Sequence, residues 1–189
     1  MWPVALLGAG AALLAISNRG PKNTTEVQSR TNGKTYSVQN LPDKQNAADM
    51  MGKVHDNLDK LMNHYKSDPA TMGDPRIQTM ISRFNPNNLI ENDLNENSTS
   101  YSENKGEKIV VCIRDKSDGY PLVDENTIMF VILHEMAHLM TTTVGHTPEF
   151  WANFRRILQD ACKIGIYSEV NYTKSPTNYC GMTITDTPL

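Results

Sequence analysis

Hydrophobic and polar positions change period several times along this 189-residue chain. Trp2 to Ile16 (WPVALLGAGAALLAI) is continuously apolar, and no charged residue precedes Arg19. From Gly20 to about Pro42 the chain is polar without a sustained period and reads as a linker. Ala47, Met50, Met51, Val54, Leu58, Leu61, Met62 and Tyr65 then recur three or four apart, which predicts an amphipathic helix ended by Asp68-Pro69. Asp74-Pro75 has the form of an N-cap with proline at the first helical position. It opens a shorter helix carrying Ile77, Met80, Ile81 and Phe84, which Asn85 to Asn88 break.

The pattern next turns strand-like. Leu89-Ile90 suits a short strand, and an Asn/Ser-rich stretch over 91–105 reads as a loop. Lys108 to Arg114 (KIVVCIR) is apolar and β-branched, which predicts a strand, and Asp118-Gly119 is a turn signal. Asp124 is a good N-cap for Ile128 to Met140 (IMFVILHEMAHLM), apolar on nearly every face and so expected to be a buried helix. Thr141, Thr142, Thr143 and Val144 are poor helix formers, and Gly145 permits a sharp turn. Thr147-Pro148 starts a last helix with Phe150, Phe154, Ile157, Leu158, Ala161 and Cys162 on its apolar face, ending near Gly165. Strand potential follows at 166–172 and 182–185.

Composition changes this picture in two places. A helix crossing a bilayer needs roughly 20 apolar residues, with a lower limit near 17, and Met1 to Ser17 sits at that limit. Its basic residues (Arg19, Lys22, Arg30, Lys34) follow the apolar run, whereas a cleaved signal peptide begins with them. Residues 1–18 therefore read as a single-pass anchor, 19–42 as a linker, and 43–189 as one domain held on the cytosolic side. The net charge of -3 offers no footprint for nucleic acid, which is not expected as a partner. Three cysteines are too few for a disulfide scaffold, and Cys112 and Cys162 read as buried free thiols suited to a reducing compartment. Sequons at Asn23, Asn97 and Asn171 are no more than so asparagine-rich a chain produces by chance.

The candidate chemistry lies in the buried helix. His134-Glu135-Met136-Ala137-His138 places two imidazoles at i and i+4, on one helix face, so both can reach one metal ion. Zinc in a catalytic site takes three protein ligands and keeps one position open. His146, beyond the Thr run and Gly145, is the expected third ligand, with Glu149 as its rival. Glu135 is placed to act as general base. His55 and His64, on the first long helix, read as exposed or packing histidines.

The residues His134-Glu135-Met136-Ala137-His138, Gly145-His146 and Pro148-Glu149-Phe150-Trp151 resemble the compact zinc metallopeptidases of the WLM and SprT-like type. The resemblance covers about Val123 to Leu158. It implies an α+β, minimal zincin-like domain, with a small antiparallel sheet beside the HExxH helix and a protein or peptide substrate along an edge strand. Carried over residue by residue, it implies Zn2+ held by His134, His138 and His146 with Glu135 as base. The edge strand would be the Lys108–Arg114 run, with Ile109, Val110 and Val111 at its centre. Tyr179 and Tyr172 are candidate stabilisers of the oxyanion, if the tail folds back over the cleft. The function expected is membrane-anchored peptide-bond hydrolysis. The alternative is a zinc-containing peptide-binding or structural protein tethered to a membrane, without proteolytic activity.

Overall fold

The computed structural model describes residues 23–95, 99–103 and 108–189. The apolar stretch expected to anchor the chain lies outside them. Among the described residues no helix is long and apolar enough to cross a membrane.

The polar segment read as a linker is largely a β-hairpin. β1 (Thr24–Gln28) pairs antiparallel with β2 (Thr35–Gln39). Its exposed positions include Glu26, Gln28 and Thr35, and Tyr36 and Val38 contribute apolar side chains from β2 to the core, with Val27 of β1 packed against it. A strand with so few apolar positions leaves no period in the sequence. Arg30 ties the turn down, its guanidinium and backbone N–H both donating to Asp49.

The hairpin packs on α1 (Lys44–Ser67), whose inward residues include Ala47, Met51, Val54, Leu58, Leu61 and Tyr65. α1 stops where Asp68 turns extended ahead of Pro69, as expected, but a short α2 (Pro69–Met72) intervenes before α3 (Pro75–Arg83). Asp74 caps α3 by accepting the Arg76 N–H at 3.0 Å. The Asn85 break is one 3-10 turn, Pro86–Asn88.

β3 (Leu89–Glu91), β4 (Tyr101–Glu103) and β5 (Lys108–Val111) form a sheet in the order β3-β5-β4. β5 runs parallel to β3 and antiparallel to β4, so the sheet is mixed rather than the antiparallel one expected. β4 lies inside the stretch read as loop. It is three residues long, with Ser102 at its centre, too short and too polar to show a strand period. Ile109, Val110 and Val111 occupy the central strand, not an edge. Their unbroken apolar run is the mark of a strand covered on both faces, which an edge strand seldom is.

Arg114 is fully buried just past β5. It donates to Glu91 at the end of β3 (2.7 Å), to Asp43 before α1 (2.7 Å) and to the Tyr120 carbonyl (3.1 Å). Glu91 in turn accepts the Gln39 N–H from β2. This buried knot joins hairpin, helix and sheet. Burial pushes the Glu91 carboxyl up, against the pull of the guanidinium.

α4 (Glu125–Met140) runs through the middle of the core and packs against α1, α3 and α5 (Pro148–Lys163). The tail adds a hairpin of β6 (Thr177–Tyr179) and β7 (Met182–Ile184). Its turn residues Cys180 and Gly181 both have positive φ (51° and 79°), as a two-residue hairpin turn requires. The 166–172 segment forms no strand. Cys180 is disulfide-bonded to Cys112, immediately after β5. Cys112 is therefore not the free thiol expected, and the cysteines give no argument for a reducing compartment. Cys162 is free.

Candidate metal centre

α4 begins because Asp124 accepts the Thr127 N–H (2.9 Å) and hydroxyl (2.6 Å), with Glu125 adding negative charge at the helix start. It ends where the β-branched threonines begin. Thr141 turns extended, and its hydroxyl donates back to the Ala137 carbonyl at 2.7 Å. Gly145, at φ 84°, reverses the chain. Thr147 then caps α5, accepting the Phe150 N–H, with Pro148 at the first helical position.

The reversal brings the three histidines together. His134 Nε2 lies 3.2 Å from His138 Nε2 and 3.1 Å from His146 Nε2. Three nitrogens bound tetrahedrally to zinc at about 2.0–2.1 Å would stand roughly 3.3–3.4 Å apart, so the spacing fits. The donor set fits as well. One imidazole nitrogen offers a single proton or a single lone pair, so His134 Nε2 cannot form good hydrogen bonds to both neighbours. A shared cation satisfies all three. Among the described residues this trio is the group of side chains able to hold a metal.

The setting keeps the ligands neutral. Burial, reinforced by the neighbouring imidazoles, holds His134 well below the usual histidine range. Burial, again with help from His146, brings His138 down to about 4, and burial also lowers His146. Neutral imidazole is the ligating form. Phe150 is the common apolar neighbour, its ring 4.3 Å from that of His138, 4.6 Å from His146 and 4.9 Å from His134.

Glu135 follows His134 on α4 and is only partly exposed. Its recessed position pushes its carboxyl up to about 8, and a cation at the histidines would draw it back down. Glu149, the rival ligand, is committed elsewhere. It accepts the backbone N–H of Thr142 (3.1 Å) and of Thr143 (3.3 Å), together with both hydroxyls.

The two tyrosines named from the sequence are both core residues. Tyr179 is fully buried, its hydroxyl 2.6 Å from Ser100 Oγ, which also accepts the Cys112 N–H. Tyr172 is fully buried with its ring 4.7 Å from that of Phe130. Their aromatic bulk places them in the core. Tyr179 nevertheless stands close enough to Glu135 for the carboxylate to reinforce the rise in its pKa that burial causes. His55 packs inside, near Lys34 and 3.4 Å from Asp59.

One residue of the site escaped the sequence reading altogether. Asn153 is completely buried on α5, donating to Thr141 Oγ1 (3.0 Å) and accepting from Arg76 on α3 (3.1 Å). It fixes the end of α4 against its neighbours. An asparagine one place before the apolar Phe154 carries no sequence signal for that role.

The family model described as WLM domain matches residues 78–184, from α3 through β7. The chain is 31% identical over 184 residues to "Uncharacterized protein R325" of Acanthamoeba polyphaga mimivirus, across 96% of this chain and 93% of that protein. It is 35% identical over 115 residues to "Uncharacterized protein 136R" of Invertebrate iridescent virus 6, covering 59% of this chain and 62% of the other. The crystal structure of Wss1 from Saccharomyces cerevisiae superposes with a TM-score of 0.52 at 19% identity, over 68% of this chain and 86% of that one, which is a likeness of fold. The matched region contains the HExxH helix, the reversal and the helix after it, and the chain belongs to the WLM domain family.

Proposed function

We propose that this protein is a zinc-dependent peptidase tethered to a membrane by its apolar N-terminal stretch. WLM membership and the Wss1-like fold support a metalloprotease-type activity. The observation that carries the reading is the trio of ring nitrogens, with those of His146 and His138 lying 3.1 and 3.2 Å from the one on His134.

His134, His138 and His146 would hold zinc, which supplies Lewis acidity to polarise a scissile carbonyl and acidify a water. Glu135 takes the proton of the attacking water and passes it to the leaving amine. Phe150 keeps the imidazoles in an apolar setting, where their neutral form persists. β4, the outer strand next to β5, is the edge that an extended substrate segment would join. The basic residues after the apolar stretch favour the cytosolic side for the domain, whereas the Cys112–Cys180 disulfide favours an oxidising compartment.

The test pairs metal analysis with proteolysis of an unfolded protein substrate. Wild type should carry one zinc per chain and cleave. Glu135→Gln should keep the zinc and lose roughly 10²-fold or more of the rate, the range expected for a general base. A wild type without zinc, or cleavage undiminished in Glu135→Gln, would refute the reading. Protease protection of the full chain in vesicles reports the tether and its sidedness.

A further inference from the structure

The sequence offers Glu149 as an alternative metal ligand, and the structure shows it doing something else. Its two carboxylate oxygens face the reversal between α4 and α5. Oε1 accepts the Thr142 N–H at 3.1 Å and the Thr142 hydroxyl at 3.0 Å. Oε2 accepts the Thr143 N–H at 3.3 Å and the Thr143 hydroxyl at 2.9 Å. The Thr143 hydroxyl also lies 2.7 Å from that of Thr147, the cap of α5. We propose that Glu149 is a positioning residue for the third metal ligand: its carboxylate fastens Thr142 and Thr143 to the first turn of α5, so that His146 is held against His134 before any metal arrives. This rests on the zinc reading above.

The physical case is one of loop entropy and charge. Fixing a backbone residue costs conformational entropy, and His146 hangs on a reversal with no regular structure. A reversal free to move would have to be ordered by the metal, at the expense of affinity. Here the ordering is done in advance, by Asn153 holding Thr141 at one end and Glu149 holding the next two residues. The hydrogen bonds from Thr142 and Thr143 keep the Glu149 carboxyl below its usual range, so it stays ionised at neutral pH. A negative group in the first turn of α5 also suits the helix dipole. The threonine run thus has two functions, stopping α4 and supplying the donors that Glu149 collects.

The experiment uses the full chain in detergent as wild type, Glu149→Ala, Glu149→Gln and His146→Ala. Zinc affinity is measured by competition with a chromophoric chelator, the cobalt-substituted protein is followed by its visible absorption, and melting is recorded for the metal-free forms. Glu149→Ala should weaken zinc by about 10–100-fold, the range for residues that orient a ligand, and should alter the cobalt bands. Glu149→Gln, which keeps acceptor capacity on one oxygen, should fall between. Metal-free Glu149→Ala should melt within a few degrees of wild type. Zinc affinity in Glu149→Ala within about twofold of wild type overturns the proposal. So does zinc retained by His146→Ala but lost by Glu149→Ala, which would make Glu149 itself the ligand. If wild type binds no zinc, the functional reading falls as well, so the two failures are told apart by the wild-type measurement.

Discussion

An imidazole that stays neutral at neutral pH is ready to bind a metal, but the metal-free fold bears the cost in acid. His138 titrates near 4 when folded, against about 6.5 unfolded, because burial disfavours its charged form. The unfolded chain therefore takes up the proton first as pH falls. The sign is that of a lowered histidine: stability is intact above about 6.5 and declines as pH falls toward 4. His138 alone should account for about 2 kcal/mol between pH 7 and pH 5. Urea unfolding of the metal-free protein at those two pH values checks this, and a stability unchanged at pH 5 would contradict it. At this scale the sequence was highly informative. HExxH spacing on a helix implies a shared face, and the structure brings His134, His138 and His146 together as that spacing and the reversal imply. The tyrosines were less legible. Tyr179 and Tyr172 are both buried by packing, and Tyr179 stands near Glu135 through a tail contact that no local pattern encodes.

Among elements, the pair α4 and α5 is held at its junction by polar residues rather than apolar ones. Asn153→Ala would leave Thr141 and Arg76 short of a buried partner, and should destabilise the fold by about 2–3 kcal/mol. Equilibrium denaturation with an unchanged m-value would confirm a loss of stability rather than of compactness. Asp74 makes a second junction, capping α3 and pairing with Arg76 (2.6 Å) and with Arg156 of α5 (2.9 Å). Hydrogen bonds from Arg76, chiefly, bring its carboxyl down to about 2. A depressed acid stabilises above its unfolded pKa near 3.9, and that contribution disappears as pH falls from about 4 to 2. Screening by solvent limits it to about 1 kcal/mol, so Asp74→Asn, which keeps the cap but not the charge, should lose about that amount at pH 7 and only a small part of it at pH 2. Helices α1, α3, α4 and α5 were legible because each carries a sustained apolar period or a recognisable cap. β1, β2 and β4 were not. Each is five residues or fewer with mostly polar outer positions, and such strands exist only because a neighbour completes their hydrogen bonding.

For the molecule as a whole, the disulfide fastens the tail hairpin to the end of the central strand across 68 positions of sequence. A cross-link closing a loop of that size is worth about 4 kcal/mol in the chain-entropy account. The Cys112→Ala, Cys180→Ala double variant should lose a comparable amount, read by the denaturation midpoint. A midpoint unchanged from wild type would mean the link adds no stability. The hairpin it secures carries Tyr179, which braces Ser100 and the start of β4, so the fold places the proposed substrate edge through contacts distant in sequence. What the sequence determined by itself was local. Helix period, caps and the HExxH face depend on residues a few positions apart, and short-range sterics enforce them wherever the chain goes. Tertiary structure alone decided the pairing of Cys112 with Cys180, the central place of β5, the assembly of a hairpin from a polar stretch, and the use of Glu149 as a clamp. Each joins groups whose partners are chosen by packing, and a one-dimensional pattern holds no record of which distant segment will come to lie alongside.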